Sequence, residues 1–335
     1  MKTPIYKSFF TGVILAICCG FVGAQVERDK GIELYKQGKN KEAIAVLEKT
    51  SKKIKTDAEV WNFLGLAYFK GEDYKNAVKA FEKAVRIEEQ NAIFYTNLAY
   101  AYLHNNKLDK AQSASSKGIE LNPQNLNAYY IRGSANLWEG DNDSAIADAN
   151  KAIAINSDFS LAYTLKSEAL YLAFGNHVSS GSKAIDAVNL LQEAKEVLET
   201  CLKNCKNNLQ EEIQQEKSEA IQIFYNYFSK NRDANLIQTN PVPPDPSITP
   251  LKIVSKKAPQ YTDNARANGI SGTIRMAVFF SDSGRVTHTL ILKGLGGGLN
   301  NTAVHAARQI KFEPAKKDGK PISQIRLVEY SFSLY

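Results

Sequence analysis

The sequence predicts an α + (α+β) fold class, in which a helical solenoid is joined by a Pro-rich linker to a small three-stranded α/β domain. Apolar and small residues recur with a spacing of 34 residues, as from Trp61 to Tyr95 and on to Tyr129. Five of the ten prolines fall between residues 241 and 250, and apolar residues alternate one by one beyond residue 272. A fixed period of this length indicates stacked helical units, whereas alternation indicates strands.

Each repeat is predicted to consist of two short helices. Trp61, Leu64 and Tyr68 are spaced i, i+3, i+7, which places them on one face of a first helix. Gly65 is small, and we expect the two helices of the pair to cross closely there. The pattern W-x2-L-G-x2-Y…A…F…A…P resembles the tetratricopeptide repeat (TPR) and matches it best over residues 58–91. This resemblance implies a solenoid with a concave binding face.

The repeats and their end units fill the chain up to residue 230. We predict TPR repeats over residues 25–159, followed by a degenerate repeat and capping helices over residues 160–230. The cap is expected to hold a polar loop at 175–182 and then helices from about residue 184 and over about 208–230. A solenoid needs atypical end units of this kind because its last repeat has no further neighbour to cover it.

The N-terminus has the pattern of a signal peptide over residues 1–24. Two lysines precede an apolar run at residues 9–22, and small residues stand before a cleavage position after Ala24. The run is short for a membrane span, which needs about 20 residues. The expected location is therefore the periplasm or cell envelope. The alternative is an uncleaved N-terminal anchor in the inner membrane.

The Pro-rich linker at residues 231–250 separates two different periodicities. Proline this dense favours an extended polyproline II segment of about 3.1 Å per residue, which we expect to hold two folded parts apart. The domain at residues 251–335 is predicted to contain strands near 273–280 and 286–292, a helix near 299–310 and a last strand from about 324 to 335.

This last domain resembles the TonB C-terminal domain. The residues that carry the resemblance are Pro259, Tyr261, Ala265, Arg266, Gly269, Gly272, Gly284, Leu299, Ala303, Phe312-Glu313-Pro314-Ala315 and Asp318-Gly319-Lys320-Pro321. One departure is Thr262, where the family usually has proline. The resemblance implies a sheet of three strands with two helices on one face. It also implies an envelope protein whose last strand can pair with a peptide from a partner.

The positive charge belongs to the last domain. The chain has a net charge of +7, and residues 251–335 contain 13 Lys and Arg against 5 Asp and Glu. These basic residues do not form a run with aromatic residues between them, so we expect no nucleic-acid partner. An acidic partner or an anionic envelope surface fits the charge better. Contact with a membrane is expected only by association or through an uncleaved N-terminus.

The sequence contains no motif that predicts catalysis, a cofactor or a metal site. The glycine-rich stretch at 294–298 lacks the Lys-Ser/Thr of a phosphate-binding loop. The acidic stretch at 141–143 lacks the twelfth-position acid of a calcium loop and is interpreted as a helix start. Cys201 and Cys205 lie one helical turn apart, which suits a disulfide poorly. We expect two buried or half-buried thiols there, with a disulfide as the alternative.

Candidate partner-binding residues lie on two surfaces. Asn62 and Leu66 stand where the TPR carboxylate clamp has Lys and Asn, so that clamp is absent. By the TPR resemblance, the concave face is lined by Asn62, Leu66, Phe69, Thr96, Tyr100, Leu103, Tyr130, Ser134 and Trp138. The second surface is the last strand, an expected sheet edge whose unpaired backbone groups favour strand addition. Its candidate residues are Arg326, Glu329, Ser331 and Ser333.

Two functions fit these features. The first is a non-catalytic envelope adaptor, in which the TPR array binds one partner and the TonB-like domain docks another by strand addition. The alternative is a TonB-family energy transducer or transport component for outer-membrane receptors, with an uncleaved N-terminal anchor. Predicted cleavage favours the adaptor, because a transducer must stay anchored. An unrecognised enzyme is the least supported hypothesis. The partners would be envelope proteins or peptides, including segments of outer-membrane receptors. The sequence determines neither their identity nor the oligomeric state.

Overall fold

The computed structural model forms two compact units, Met1–Ile131 and Arg132–Tyr335. The described residues are 23–180, 182, 184–206, 208, 211–230 and 247–334. The predicted leader up to residue 22 and residues 231–246 of the predicted linker lie outside them. Cleavage after Ala24 and the stiffness of the linker therefore stay predictions, as do the domain boundaries.

Helices alternate with short turns in the described residues from 23 to 230, and they confirm the predicted TPR solenoid. The first helix, α1, covers residues 23–36. It is followed by α2 (Asn40–Lys53), α3 (Ala58–Lys70), α4 (Tyr74–Ile87), α5 (Ala92–His104), α6 (Leu108–Leu121), α7 (Leu126–Glu139) and α8 (Asn142–Ile155). The end units are α9 (Ser160–Ser179), a 3-10 helix (Ala184–Ala187), α10 (Val188–Asn204) and α11 (Glu211–Lys230).

Local signals set the helix ends. The Asp141 side chain accepts a hydrogen bond of 3.1 Å from the Ser144 backbone N–H, which caps α8. The interpretation of this acidic stretch as a helix start is therefore confirmed. At the other end of a helix, α6 stops at Leu121, two residues before Pro123.

The second repeat is held together by one buried ring. A β-carbon on Gly65 would lie 2.7 Å from the Phe81 ring, so only glycine lets α3 and α4 approach this closely. Phe81 is 1% exposed. Trp61 is only partly buried, and its indole N–H donates to the Lys55 carbonyl at 3.0 Å. Phe81 therefore makes the larger apolar contribution to this pair.

The C-terminal domain is organised around one antiparallel sheet of the order β4-β3-β8. Its strands are β3 (Gly272–Phe280), β4 (Val286–Lys293) and β8 (Gln324–Phe332). Short ladders pair β1 (Ile248–Thr249) with β6 (Ala315–Lys317), β6 with β7 (Lys320–Ile322), and β2 (Lys252–Ser255) with β5 (Lys311–Glu313). The end of the predicted linker is thus strand β1.

One face of the sheet packs against helices α12 (Asp263–Ala267) and α13 (Leu299–Arg308). Met276 and Tyr330 from the sheet share a buried cluster with Ala303 of α13. This face matches the two helices that the TonB resemblance implies. Among the described residues, no helix of the chain is long and apolar enough to cross a membrane.

Part of the second face of the sheet is also covered by helices, a contact that was not predicted from the sequence. Leu290 and Leu292 of β4 belong to the same buried cluster as Phe174 of α9 and Phe224 of α11. The expectation that the linker holds the last domain apart from the capping helices is therefore wrong. The physical reason is that this face is apolar and would otherwise remain exposed to water.

The close approach of α9 to the sheet explains a second difference from prediction. Residues 175–179 were expected to belong to a polar loop, but α9 continues to Ser179. Gly175 lies in this helix against β4, where a β-carbon would be 2.6 Å from the Cα of Leu292. Gly175 therefore serves close packing and does not break the helix, so tertiary contact overrides the local loop signal.

Cys201 and Cys205 form a disulfide, so the expectation of two thiols is wrong. Their Cα atoms are 4.9 Å apart, within the range that a disulfide spans. Cys205 is the C-terminal cap of α10 and has extended backbone angles. Because Cys205 has left the helix, its side chain need not run parallel to that of Cys201, which was the assumption behind the prediction.

Phe81→Ala is expected to lower the free energy of unfolding by about 3–5 kcal/mol, because it removes a fully buried ring. Trp61→Ala should cost less, since the indole is only partly buried. Hydrogen exchange of the α3 and α4 amides in the full chain measures both losses. A loss for Trp61→Ala as large as that for Phe81→Ala would contradict this packing.

Gly175→Ala is expected to lower the Tm of the Arg132–Tyr335 unit, because its β-carbon would force α9 away from β4. The matched control is Gly71→Ala, where the nearest heavy atom would lie 3.4 Å away. Thermal melts of the full chain followed by circular dichroism compare the two variants. Equal Tm values for Gly175→Ala and the unmodified chain would show that α9 does not pack on β4.

Candidate partner-binding surfaces

A cluster of four rings marks the predicted concave face in the first unit. Phe69 at the end of α3 stacks on Tyr100 of α5, with ring centroids 4.9 Å apart. Tyr74 at the start of α4 stacks on His104 at 5.1 Å. His104 also meets Phe69 and Tyr100 edge to face, at 5.1 and 4.7 Å. We call Phe69, Tyr74, Tyr100 and His104 the aromatic cluster.

The aromatic cluster is uncharged at neutral pH. Burial lowers the pKa of His104, which favours the neutral imidazole. Burial also raises the pKa of Tyr100, and the Tyr74 pKa rises through burial and the nearby Glu72 charge. Tyr100 nevertheless remains 37% exposed. The cluster therefore presents a neutral, polarisable surface that can contact apolar or aromatic side chains.

The other predicted concave residues differ in how accessible they are. Asn62 and Thr96 are buried. The Asn97 side chain donates a hydrogen bond of 2.9 Å to Asn62, and the Asn125 side chain donates one of 2.7 Å to Thr96, so both residues hold neighbouring repeats together. These two residues therefore stabilise the stacking of the repeats and are poorly accessible to a partner. Leu103 and Ser134 are buried, Leu66, Phe69 and Tyr130 are half-buried, and Trp138 is exposed.

Two members of the aromatic cluster, Tyr74 and His104, were not predicted from the sequence. His104 follows Tyr100 by four residues, so both lie on one face of α5, and this spacing could have identified it. Tyr74 lies at the start of a second helix, outside the first-helix positions that the TPR resemblance uses. Its approach to His104 depends on how two repeats stack, which local spacing does not reveal.

The last strand is a sheet edge, as predicted. Within the part of the chain that the structure describes, β8 pairs with β3 and with no other strand. Val328, Tyr330 and Phe332 are buried against the α12 and α13 side. The strand ends at Phe332, before the predicted end at about residue 335, and Leu334 beyond it is exposed.

Backbone groups of β8 face the open edge at alternate residues. The Glu329 carbonyl accepts a hydrogen bond of 2.8 Å from the Lys256 ammonium, which comes from outside the sheet. Because successive residues of a strand direct their backbone groups to opposite sides, Ser331 also faces outward. Lys256 additionally lies over the Tyr330 ring at 4.7 Å. It covers one acceptor of the edge, and no pattern in the sequence indicated this contact.

The predicted side chains of β8 are exposed but not all unpaired. Arg275 of β3 donates to the Glu329 carboxylate at 2.6 Å. The hydroxyls of Ser331 and Thr273 lie 3.2 Å apart. Arg326 contacts Gln324 on its own strand at 3.2 Å. Ser333 follows the end of the strand and is exposed. The strand thus offers polar side chains beside an open backbone edge.

Family models match both parts of the chain. Residues 257–334 match the model described as Gram-negative bacterial TonB protein C-terminal. Residues 65–106 match a TPR repeat model, and residues 96–160 match a tetratricopeptide repeat model. Both recognitions made from the sequence are confirmed. No curated protein matches the chain.

Several solved structures are similar to about half of the chain. A crystal structure of MamA protein has 25% identity and a TM-score of 0.46, covering 54% of this chain and 94% of that one. MamA 41-end from Desulfovibrio magneticus RS-1 has 18% identity and a TM-score of 0.44, covering 53% and 96%. YrrB, described as a TPR protein with an unusual peptide-binding site, has 19% identity and a TM-score of 0.42, covering 51% and 84%.

The His104 imidazole is expected to titrate below its ordinary value of about 6.5. A lowered pKa means that the unfolded chain binds the proton more readily than the folded chain. The contribution of His104 to stability is therefore complete above about pH 6.5 and declines as the pH falls towards the folded-state pKa. NMR titration of the His104 ring in the full chain measures this value, and a pKa at or above 6.5 would contradict its burial. His104→Phe should remove this part of the pH dependence.

Proposed function

We propose that this chain, in which TPR repeats precede a TonB C-terminal domain, is a non-catalytic protein-interaction adaptor of the cell envelope. TPR repeats are a protein-interaction architecture, and the TonB C-terminal domain fits an association with the Gram-negative envelope. In this proposal the aromatic cluster contacts one partner, and strand β8 pairs with a second. The partners are envelope proteins or peptides.

The unpaired edge of β8 is the observation that carries the proposal. One face of the sheet packs on α12 and α13, and helices α9 and α11 cover part of the other. A partner that pairs with the sheet backbone must therefore approach along an edge. An extended peptide laid beside β8 would pair with the outward backbone groups of Glu329 and Ser331. It would also replace the Lys256 ammonium at the Glu329 carbonyl.

The charge of the domain favours an acidic peptide at this edge. Residues 251–335 carry 13 Lys and Arg against 5 Asp and Glu. Lys256 is exposed, and its ammonium already lies at the Glu329 carbonyl of this strand. Such an excess attracts a negatively charged segment and speeds its association, an effect that weakens as salt increases.

The aromatic cluster supports a second docking surface in the first unit. Tyrosine and phenylalanine rings supply large contact areas with few rotatable bonds, which favours their use in binding. Because the cluster is uncharged, it suits an apolar or aromatic side chain of a partner better than a charged terminus. The absence of the carboxylate-clamp residues at Asn62 and Leu66 agrees with this preference.

A transport function is the second candidate, and the TonB C-terminal match is the observation that favours it. In that case the chain would be a TonB-family energy transducer for outer-membrane receptors. It would keep its N-terminus as an anchor, whereas the adaptor would be released by cleavage after Ala24. Mass spectrometry of the mature N-terminus separates the two, because a chain that begins at Gln25 has no N-terminal anchor.

Ser331→Pro tests the β8 edge. Proline removes the outward backbone donor of Ser331 and leaves the packed residues of β8 unchanged, which an edge strand tolerates. We expect binding of the edge partner to fall at least tenfold while circular dichroism stays unchanged. The matched control is Ser331→Ala, which keeps the backbone donor and should bind normally.

Partners are first isolated from the envelope fraction with the unmodified chain and then titrated against each variant. Tyr100→Ala, compared with the exposed control Lys83→Ala, tests the aromatic cluster in the same way. Each variant should lose a different partner. Undiminished binding of every isolated partner by folded Ser331→Pro would remove β8 as a docking site.

A further inference from the structure

The last domain carries a strip of lysines, of which the proposed β8 site uses only Lys256. Strand β1 pairs with β6 and β2 pairs with β5 in one common antiparallel register, so residues 248–257 and 311–320 form a single ribbon. This ribbon contains seven of the eight lysines of residues 251–335 and none of their five arginines. We call it the lysine ribbon, and its lysines are Lys252, Lys256, Lys257, Lys311, Lys316, Lys317 and Lys320.

Buried residues attach the lysine ribbon to the rest of the domain. Phe312 is 8% exposed, and its ring meets the Phe280 ring of β3 edge to face, with the centroids 4.8 Å apart. Ala315 is fully buried. All seven lysines are nevertheless exposed. The core therefore holds the backbone of the ribbon in place, and the ribbon presents its lysines to the solvent.

Most of the positive charge of the ribbon is unpaired. Its acidic residues are Glu313 and Asp318, so the seven lysines leave a net charge of +5. The Lys252 ammonium lies 3.2 Å from the Glu313 carboxylate, but both side chains are mostly exposed, and such a pair contributes little. Within the described part of the chain, five lysines form no ion pair, namely Lys257, Lys311, Lys316, Lys317 and Lys320. A region with this excess of charge attracts an anionic partner.

Two apolar side chains are exposed among these lysines. Ile253 is 45% exposed and Val254 is 60% exposed, although isoleucine and valine are most often buried. They lie in β2, where the ladder is irregular and every residue is exposed. Lysines on an edge strand can serve only to discourage pairing with other chains, but an exposed isoleucine and valine work against that protection. The apolar pair therefore indicates a contact.

Dispersed lysines around an apolar pair fit a lipid surface better than an acidic peptide. The lysine ammonium is a point charge on a flexible stem, which suits many separate phosphates, whereas arginine matches a carboxylate in a two-point contact. The ladder from residue 248 to 255 is roughly 25 Å long, so its charges do not converge on one point. Anionic headgroups attract basic segments, and apolar side chains strengthen that binding by entering the boundary with the acyl chains.

We propose that the lysine ribbon binds an anionic phospholipid surface. Its lysines contact lipid phosphates, and Ile253 and Val254 enter the boundary between the headgroups and the acyl chains. The match to the TonB C-terminal family fits an association with the Gram-negative envelope, where such surfaces occur. This contact goes beyond the protein partners of the proposed adaptor, and it would hold the chain at a membrane even after the N-terminal segment is removed.

Co-sedimentation of the full chain with vesicles tests the lysine ribbon. The vesicles contain equal parts of phosphatidylglycerol and phosphatidylcholine, and pure phosphatidylcholine vesicles measure uncharged contacts such as those of the N-terminus. The double change Lys316→Glu, Lys317→Glu should weaken binding to the anionic vesicles at least tenfold and leave circular dichroism unchanged. The matched control is Lys79→Glu, Lys83→Glu, which makes the same charge change at exposed positions of α4 and should bind normally.

A fluorescence measurement tests the entry of β2 into the lipid. Val254→Trp should emit at shorter wavelength than the unmodified chain when anionic vesicles are added, and not when hexaglutamate is added, because only the lipid removes this side chain from water. Vesicle binding should also weaken between about 0.1 M and 1 M salt, where the screening length falls from about 10 Å to about 3 Å.

The outcomes separate this proposal from its alternatives. No binding to the anionic vesicles, or equal binding by Lys316→Glu, Lys317→Glu and its control, would overturn the proposal and leave the lysines as protection of an edge strand. Tighter binding to hexaglutamate than to the vesicles, without a shift in Val254→Trp, would overturn it in favour of an acidic peptide. Ser331→Pro should bind the vesicles normally, so failure of the β8 site and failure of the lysine ribbon are distinguishable.

Discussion

The burial of the second face of the C-terminal sheet determines much of this structure. Antiparallel sheets commonly pack one face and leave the other in water. Here β4 directs Leu290 and Leu292 towards α9 and α11, and the large rings of Phe174 and Phe224 cover them. Each such side chain contributes about 1.5–3 kcal/mol when fully buried. A partner that pairs with this ladder must approach along an outer strand, and β8 is one of the two in the order β4-β3-β8.

The same packing covers the apolar surface at the end of the helical array. A repeat buries its apolar face against its neighbours, so the last repeat needs a different element to cover it. The helices after residue 160 provide that cover on one side, and the sheet then covers the apolar residues that α9 and α11 still expose. Gly175 makes the contact possible, because any side chain would collide with the backbone of Leu292. The capping helices and the sheet consequently share one core.

Sequence periodicity predicted the parts of the fold that depend on near neighbours. The helix pairs, the β3–β4 hairpin and the edge position of β8 follow from spacing and alternation over a few residues. The features that were missed depend on residues far apart in the chain. The helical state of Gly175 requires β4, which lies more than a hundred residues later. The stacking of Tyr74 on His104 requires two repeats to meet. The disulfide requires α10 to end before Cys205, and boundaries are the least reliable part of a prediction from sequence.

The repeat register also determines where the aromatic cluster is completed. His104 and Trp138 are 34 residues apart and occupy the same slot at the end of a first helix, where the preceding repeat has Lys70. This slot lies beside the turn of each helix pair, so its side chain is not needed for the interhelical core and can vary. In one repeat it completes a cluster of rings, and in the next it leaves an indole 44% exposed. The repeat therefore determines the position of this variable side chain, and the helices and loops beside it determine what the side chain can contact.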